Sequence, residues 1–229
     1  MESQIFQEIA FEKARARMVD EQIYSRGITE RAVLAAFRKV PRHLFVPIEY
    51  QGEAYEDYPI PIGFGQTISQ PFIVALMTEK AQITKNDTVL EIGTGSGYQA
   101  AVLSCLCKTV HTVERIRELG KRAENAFKKM DLMNVRVHIG DGTCGWIDSA
   151  PYDAILVTAG SPEVPPPLEE QIKKGGRIVI PVGSSWSQEL QVRIRTETGF
   201  KIEEVIPVVF VPLLGKWGWQ ESLYRNDIS

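Results

Sequence analysis

The sequence predicts an α/β fold in which a doubly wound, mostly parallel sheet follows a helical N-terminal extension. From residue 84 onward, short apolar segments that suit strands alternate with segments of helical periodicity. That alternation is typical of a parallel sheet covered by helices on both faces. Before residue 84 the helical patterns follow one another without clear strands. We therefore expect one domain over residues 1–229, divided into a helical segment at 1–83 and an α/β core at 84–229.

The composition is that of an ordinary globular chain and excludes several classes of protein. The 229 residues include 26 Lys and Arg against 29 Asp and Glu, a formal charge of −3, and 44% of them are hydrophobic. Mild acidity argues against a protein that binds nucleic acid through bulk positive charge. The longest apolar run, residues 205–214, is half the roughly 20 residues that a membrane-spanning helix needs.

Neither a targeting segment nor a cysteine framework stands out. Residues 1–4 lack the basic and apolar regions of a secretory signal, so we expect a cytoplasmic protein without a membrane partner. Cys105, Cys107 and Cys144 have no C-x-x-C spacing, and the three histidines are scattered. A disulfide scaffold is not expected, and neither is a metal site.

The N-terminal extension predicts three helices separated by an irregular stretch. The first begins near residue 3 and is capped by Gly27, and Thr29 opens a second over about 30–39 that stops before Pro41. Residues 41–70 are irregular, and long loops inside a compact domain are usually functional. Pro71 suits the first turn of a helix over 71–82.

The core is predicted element by element from local periodicity. Apolar residues at steps of three and four mark an amphipathic helix over 116–130. A small-residue helix is expected over 98–107, and another helix begins after the prolines at 165–167 and includes Leu168 and Ile172. Apolar or alternating segments predict strands at 88–92, 109–113, 135–139, 153–158, 176–182, 190–194 and 208–211.

A glycine-rich loop follows the first core strand. In doubly wound sheets, ligands bind beyond the carboxyl ends of the strands, at the switch point beside such a strand. Gly93, Gly95 and Gly97 allow the backbone to turn tightly and to approach a ligand closely. The G-x-G-x-G spacing differs from the dinucleotide fingerprint, and no P-loop lysine follows. The loop predicts a ligand that contains adenosine; the alternative is a plain strand-to-helix turn.

Two carboxylates end the next two predicted strands. Glu114 lies 19 residues past Gly95, where an acid can accept both hydroxyl groups of a ribose, although a salt bridge to Arg115 or Arg117 is the simpler interpretation for an isolated glutamate. Asp141 closes the following strand and could accept the exocyclic amine of adenine. Its alternative is an ordinary turn aspartate.

Glu91 interrupts an otherwise apolar strand. A carboxylate in a buried strand needs a partner, and a cationic ligand would supply one. Each acidic residue is a weak signal by itself. Together with the glycine loop, they place four ligand-binding features at successive strand ends.

The pattern E-x-G-x-G-x-G, a strand-ending Glu and then Asp-Gly resembles class I S-adenosylmethionine-dependent methyltransferases. The segment G-Q-T-I-S-Q-P-F-I-V-A at 65–75 is more specific. With P-R-H-L-F-V-P at 41–47 and A-Y at 54–55, it resembles the protein-L-isoaspartate O-methyltransferase family. The resemblance is collinear from about residue 15 to about residue 219, through further matches at 89–99, 140–142, 153–159, 175–183 and 210–213. Gly160 replaces the alanine of many relatives, and residues 220–229 match no motif.

The resemblance implies a Rossmann-like methyltransferase sheet, with residues 1–83 on the substrate side and 84–229 binding the cofactor S-adenosyl-L-methionine. The methyl group would pass to the free α-carboxylate of L-isoaspartyl residues in damaged proteins and peptides. Esterification gives the carboxyl carbon a good leaving group, so a succinimide re-forms with loss of methanol and can open to normal aspartate. The family resemblance thus implies protein repair. We also expect a monomer, and the composition argues against nucleic-acid and membrane partners.

The resemblance also assigns the site residues. Ser69 is the expected catalytic residue, with Thr67 as its helper, and the cofactor-binding residues would be Ile68, Glu91, Gly93, Thr94, Gly95, Gly97, Glu114, Asp141 and Gly142. A free α-carboxylate has a pKa of about 3.3–3.7, so it is ionised at neutral pH and needs no general base. The site must orient it in line with the methyl group. The alternative for Ser69 is an N-cap of the following helix.

Two other functions compete with this interpretation. A small-molecule O-methyltransferase would share the glycine loop, Glu114 and Asp141 but has no reason to carry T-I-S-Q-P. A metal-dependent one would also need a carboxylate cluster, which Asp153 and Glu163 do not convincingly form. A nicotinamide-dependent oxidoreductase or a non-catalytic binding module is disfavoured by the G-x-G-x-G spacing and by Glu91.

Overall fold

The computed structural model describes residues 2–220, so residues 221–229 of the unmatched tail lie outside the described residues. Within that range the predicted fold class is confirmed. A seven-stranded, mostly parallel sheet follows a helical N-terminal region, and helices cover the sheet. No helix within residues 2–220 is both long and apolar enough to cross a membrane.

The first two helices form as predicted, with one difference at a cap. Helix α1 (Glu2–Arg17) continues through a π-helical turn and a 3₁₀ turn to Gly27, whose φ of 95° is the left-handed cap conformation that glycine tolerates best. Helix α2 (Arg31–Lys39) is capped by Glu30 rather than Thr29, because the Glu30 side chain accepts a hydrogen bond from the Ala32 amide.

The prediction of an irregular segment over 41–70 is wrong in its second half. After two 3₁₀ turns (Arg42–Phe45 and Ile48–Glu53), strands β1 (Ile60–Gly63) and β2 (Gln66–Ile68) form an antiparallel hairpin. Prolines and glycines suggest a loop, but a two-stranded ribbon tolerates proline where no ladder hydrogen bond is lost. The hairpin places residues 66–68 beside the carboxyl end of the first core strand, and helix α3 (Pro71–Ala81) follows with its predicted N-terminal proline.

The core strands and helices alternate along the chain. The strands of the main sheet are β3 (Thr88–Ile92), β4 (Thr109–Glu114), β5 (Val135–Ile139), β6 (Tyr152–Val157), β7 (Ile172–Gly183), β8 (Gln188–Arg195) and β9 (Phe200–Val208). The helices between them are α4 (Tyr98–Ser104), α5 (Arg117–Lys129) and α6 (Pro166–Gln171). The strand order is β5-β4-β3-β6-β7-β8-β9. Pairs from β5 to β7 are parallel, and β8 and β9 are antiparallel additions.

Three predicted boundaries need correction. The predicted strand at 208–211 is wrong, because β9 ends at Val208 and its charged, half-exposed residues weaken the apolar pattern of this edge strand. Ile172 belongs to β7 and not to the helix before it. The strand begins there, ahead of the apolar run at 176–182 from which it was predicted. Helix α4 ends at Ser104, three residues before the predicted end.

Successive residues of β3 point to opposite faces of the sheet, and both faces are buried. Val89 belongs to the apolar cluster under the N-terminal helices, whereas Leu90 and Ile92 belong to the cluster under α6. Glu91 shares the face of Val89 because side chains alternate along a strand. The chain order reverses beside β3, since β4 and β6 flank it, and this is the switch point where doubly wound sheets bind ligands.

Candidate active site

A cleft opens at the carboxyl end of β3, where four chain segments meet. The hairpin and the residue after it form one wall, the glycine loop forms the floor, the end of β4 forms a second wall and residues 211–214 close the far side. Nine of the predicted site residues line this cleft: Thr67, Ile68, Ser69, Glu91, Gly93, Thr94, Gly95, Glu114 and Gly142. Gly97 and Asp141 do not line it.

The glycine loop has the backbone geometry that only glycine adopts easily. Gly93 and Gly95 have φ values of 94° and 51°. A Cβ on Gly93 would lie 2.5 Å from the hydroxyl of Thr158, which donates a 2.7 Å hydrogen bond to the Gly93 carbonyl. A Cβ on Gly95 would meet only the Ile62 side chain, at 3.6 Å. Gly95 lines the cleft, and apart from Ile62 no group lies within 4 Å of the position that its Cβ would take.

Gly97 has a different role from the other two glycines. It is the N-cap residue of α4, with a φ of 90°, and a Cβ there would lie 2.8 Å from Cζ of Phe127 on α5. The missing side chain lets Phe127 pack beneath the loop. Gly97 therefore supports the packing of α4 against α5, behind the site.

Glu114 holds the glycine loop against the end of β4. Its carboxylate accepts a 2.8 Å hydrogen bond from the Gly95 amide and another of 2.8 Å from the Ile116 amide. Glu114 is buried and lines the cleft. Each carboxylate oxygen can accept a further hydrogen bond, so the group remains suited to a pair of ligand hydroxyls.

Glu91 is a fully buried carboxyl group at the base of the cleft. One oxygen accepts a hydrogen bond from the Thr112 hydroxyl, and within residues 2–220 the other, Oε1, has no hydrogen-bond partner. Burial, with a smaller contribution from the charge of Glu114, raises the pKa of Glu91 to about 8. The group is therefore protonated at neutral pH, and a cation in the cleft would favour its ionised form.

Ser69 and Thr67 lie where the cleft meets a second hollow. This second hollow, called the groove below, is lined by residues on the 184–187 turn and the 207–211 segment, and it shares Thr67, Ser69, Thr158 and Val211 with the cleft. The capping alternative for Ser69 is wrong, because Gln70 is the cap residue of α3 and no side chain caps that end. The junction of the two hollows is thus the place where two ligands could meet.

Asp141 adopts the geometry of the turn aspartate that was its alternative interpretation. Its Oδ1 accepts hydrogen bonds from the Thr143 amide at 2.9 Å and the Thr143 hydroxyl at 2.7 Å. Its Oδ2 accepts a 2.8 Å bond from the Lys216 amide. Asp141 therefore fastens the chain after residue 214 to the end of β5, next to Gly142 in the cleft wall.

Three polar residues near the cleft were not predicted as site residues. Thr112 pairs with Glu91 in the β3–β4 register, Thr158 follows β6 beside the glycine loop, and Arg42 donates a 2.7 Å hydrogen bond to the Ser69 carbonyl. Thr158 and Arg42 lie within segments that resemble the family. Two signals could have identified them as site residues: Thr158 follows the end of a strand, and Arg42 lies in a buried turn. The contact partner of each residue is distant in sequence.

Comparison with known proteins identifies the same family along nearly the whole chain. The family model described as "Protein-L-isoaspartate(D-aspartate) O-methyltransferase (PCMT)" matches residues 13–218. Protein-L-isoaspartate O-methyltransferase 1 of Syntrophobacter fumaroxidans is 52% identical over 93% of this chain and 99% of its own. Protein-L-isoaspartate O-methyltransferase 2 of Pelobacter propionicus is 54% identical over 91% of this chain and 93% of its own.

Solved structures agree with the architecture. A protein-L-isoaspartate O-methyltransferase superposes with a TM-score of 0.80 at 30% identity, over 93% of this chain and 69% of that one. A putative enzyme of this name from Plasmodium falciparum, in complex with S-adenosyl-L-homocysteine, superposes with a TM-score of 0.76 at 21% identity, over 87% of this chain and 98% of that one. At 21% identity, the second similarity is evidence for the fold only.

Proposed function

The chain belongs to the protein-L-isoaspartate (D-aspartate) O-methyltransferase family, and from that premise we propose how its residues divide the reaction. It is an enzyme that transfers the methyl group of S-adenosyl-L-methionine to the free α-carboxylate of L-isoaspartyl residues in damaged proteins and peptides. The ester then closes to a succinimide, which can open to normal aspartate. The function is protein repair.

We assign the methyl donor to the cleft and the substrate to the groove because the two hollows meet at one junction. Ser69 and Thr67 line both hollows. A methyl donor in the cleft and a carboxylate in the groove would therefore approach each other at these two hydroxyl groups. Holding two reactants in line is worth several kcal/mol of barrier, roughly 7–11 in the best intramolecular cases.

The residues of the cleft fit a cationic adenosine ligand. Glu91 Oε1 is buried without a hydrogen-bond partner within residues 2–220, and Gly95 leaves open space beside its backbone. We assign Glu114 to the ribose hydroxyls and Glu91 to the positive charge, with the walls formed by Ile68, Gly93, Thr94 and Gly142. The bound cofactor supplies an electrophilic methyl group on a sulfonium centre. Gly97 and Asp141 support this site from behind, through Phe127 and Lys216.

The groove fits a peptide that carries an anion. Ser69 and Thr67 offer hydroxyl donors, which orient a carboxylate without a competing full charge. Beyond them, Trp186 and Val209 are 66% and 76% exposed. Exposed apolar side chains beside a reaction centre suit contact with the flanking residues of a peptide. Since the substrate carboxylate is already ionised at neutral pH, the chain need not provide a base.

Transfer of a radiolabelled methyl group tests the activity directly. We expect incorporation into a synthetic isoaspartyl peptide and none into its twin with normal aspartate. Labelled methanol should then appear as the succinimide forms. Equal incorporation into both peptides, or into neither, would contradict the assignment.

We further propose that the enzyme is a cytoplasmic monomer that does not bind nucleic acid. Its formal charge of −3 supports the last part, because electrostatic binding to phosphates needs a basic surface. Light scattering after size exclusion should give a mass near the chain mass of 25.7 kDa. A mass near twice that value would refute the monomer.

A further inference from the structure

Arg42 is a buried cation that lies directly behind Ser69. It belongs to the 3₁₀ turn at Arg42–Phe45 and is 0% exposed. Its Nε donates a 2.7 Å hydrogen bond to the Ala54 carbonyl, and its Nη2 donates a 2.7 Å bond to the Ser69 carbonyl. The side chain does not line the cleft or the groove. It therefore reaches the site through the backbone of Ser69.

Burying this guanidinium costs free energy, because the charge loses its contact with water. Within residues 2–220 it forms no ion pair: the charge of Asp57 attracts it, but that carboxylate pairs with Arg26 at 2.7 Å, and Nη1 of Arg42 has no hydrogen-bond partner. Burial lowers the pKa of Arg42 to about 10, so the group still carries its charge at neutral pH. The ring of Tyr98, 4.8 Å away, offsets part of the cost. A buried charge that forms no ion pair of its own within the described residues is poor evidence for a purely stabilising role.

The two carbonyl contacts show what Arg42 does for the local geometry. A guanidinium is a rigid, planar donor, so it holds two acceptors in a defined relation to each other. Here it ties the backbone at Ser69 to the backbone at Ala54. On the other side of Ser69, the Gln70 side chain donates a 3.0 Å bond to the Asp57 carbonyl. The Ser69–Gln70 peptide is thus anchored on both sides.

We propose that Arg42 is a positioning residue for methyl transfer, which holds the Ser69 backbone so that the Ser69 hydroxyl meets the substrate carboxylate. The inference rests on the proposed role of Ser69. Its physical basis is that the direction of a serine side chain follows from its backbone. A displacement of about 1 Å at a reacting group can lower the rate by about 10²-fold.

A double-mutant cycle tests this coupling. The variants are Arg42→Lys, Ser69→Ala and the pair together, with kcat and KM measured on an isoaspartyl peptide. Arg122→Lys is the matched control, because Arg122 also donates to a hairpin carbonyl, that of Ile62, and lies over the ring of Phe64. Affinity for S-adenosylhomocysteine is measured by calorimetry for each variant.

We expect Arg42→Lys to lower kcat by about 10- to 100-fold and to change S-adenosylhomocysteine affinity by less than about twofold. The double variant should be no slower than Ser69→Ala alone, since removal of the hydroxyl leaves nothing for Arg42 to position. The control should keep near-normal turnover.

If the fold-losses in kcat of the two single variants multiply in the double variant, the two residues act independently. That result would overturn the inference about Arg42 while leaving Ser69 in its role. Normal turnover of Ser69→Ala would overturn both. If Arg42→Lys does not fold, Arg42→Gln takes its place, because its amide can still donate to one carbonyl. Failure of both variants to fold would place Arg42 in the core alone and refute the proposal.

Discussion

Thr112 donates a hydrogen bond from its hydroxyl to the carboxyl group of Glu91 across the paired strands β4 and β3. The same hydroxyl lies 2.6 Å from the hydroxyl of Thr94 in the glycine loop. A short polar chain thus runs from a buried acid to the loop. The protonation of Glu91 should therefore affect both the stability of the protein and the binding of a ligand in the cleft.

Glu91 should make the stability of the unliganded protein depend on pH. Its pKa is raised from 4.5 to about 8 in the folded chain, so between these values the folded state binds a proton that the unfolded state has lost. Stability therefore falls as pH rises through this window, and the penalty is absent below it. In Glu91→Gln the fall in Tm between about pH 5 and pH 8 should be smaller, as measured by thermal melts. Parallel curves for the two proteins would contradict the raised pKa.

Binding of S-adenosylmethionine at pH 7 should release a proton from Glu91. A nearby positive charge favours the ionised carboxylate and so lowers its pKa. Calorimetry in two buffers of different ionisation enthalpy measures the number of protons released. Glu91→Gln should release fewer protons than the wild type, and equal release would show that another group ionises.

Replacing Glu114 should weaken cofactor binding more than it weakens the fold. Glu114→Gln loses a charged acceptor, and hydrogen bonds to charged groups contribute about 1.5–3 kcal/mol. We expect the Kd for S-adenosylhomocysteine to rise by about one to two orders of magnitude, measured by calorimetry. A lower Tm with unchanged affinity would assign Glu114 to holding the loop alone.

Gly95 and Gly97 should respond differently to the same substitution. Both have positive φ, so alanine strains either backbone by roughly 1–2 kcal/mol. Gly95→Ala adds a methyl group and backbone strain to a residue that lines the cleft, so S-adenosylhomocysteine affinity should fall by about tenfold or more. Gly97→Ala also collides with Phe127, so its Tm should fall further than that of Gly95→Ala. The reverse order of Tm values would contradict this assignment of the two glycines.

Ser69→Ala should lower turnover of an isoaspartyl peptide by about 10²-fold with little change in cofactor affinity. Because Ser69 does not cap α3, the Tm should stay near the wild-type value. Ser69→Asn keeps a polar side chain but is too bulky for a close carboxylate site, so it should be stable and nearly inactive. A fully active Asn variant would remove the hydroxyl from the mechanism.

The elements and residues that depend on local pattern were predictable from the sequence. The bounds of β3 and β5, the N-terminal proline of α3 and the Gly27 cap follow from apolar periodicity and from the backbone preferences of glycine and proline. The glycine loop and the strand-ending Glu114 follow from the same local rules, because the carboxyl ends of parallel strands meet at one edge. These features depend on residues that are close in the chain.

Tertiary structure alone decided the rest. The hairpin at 60–68 forms where Ile60, Ile62 and Ile68 become buried against the core, which no local pattern of prolines and glycines indicates. The bond from Arg42 to Ser69 spans 27 residues, and that from Lys216 to Asp141 spans 75. Such contacts depend on the arrangement of the whole sheet and not on local pattern. Periodicity reports which face of an element is buried, whereas the partner on that face is set by the path of the whole chain.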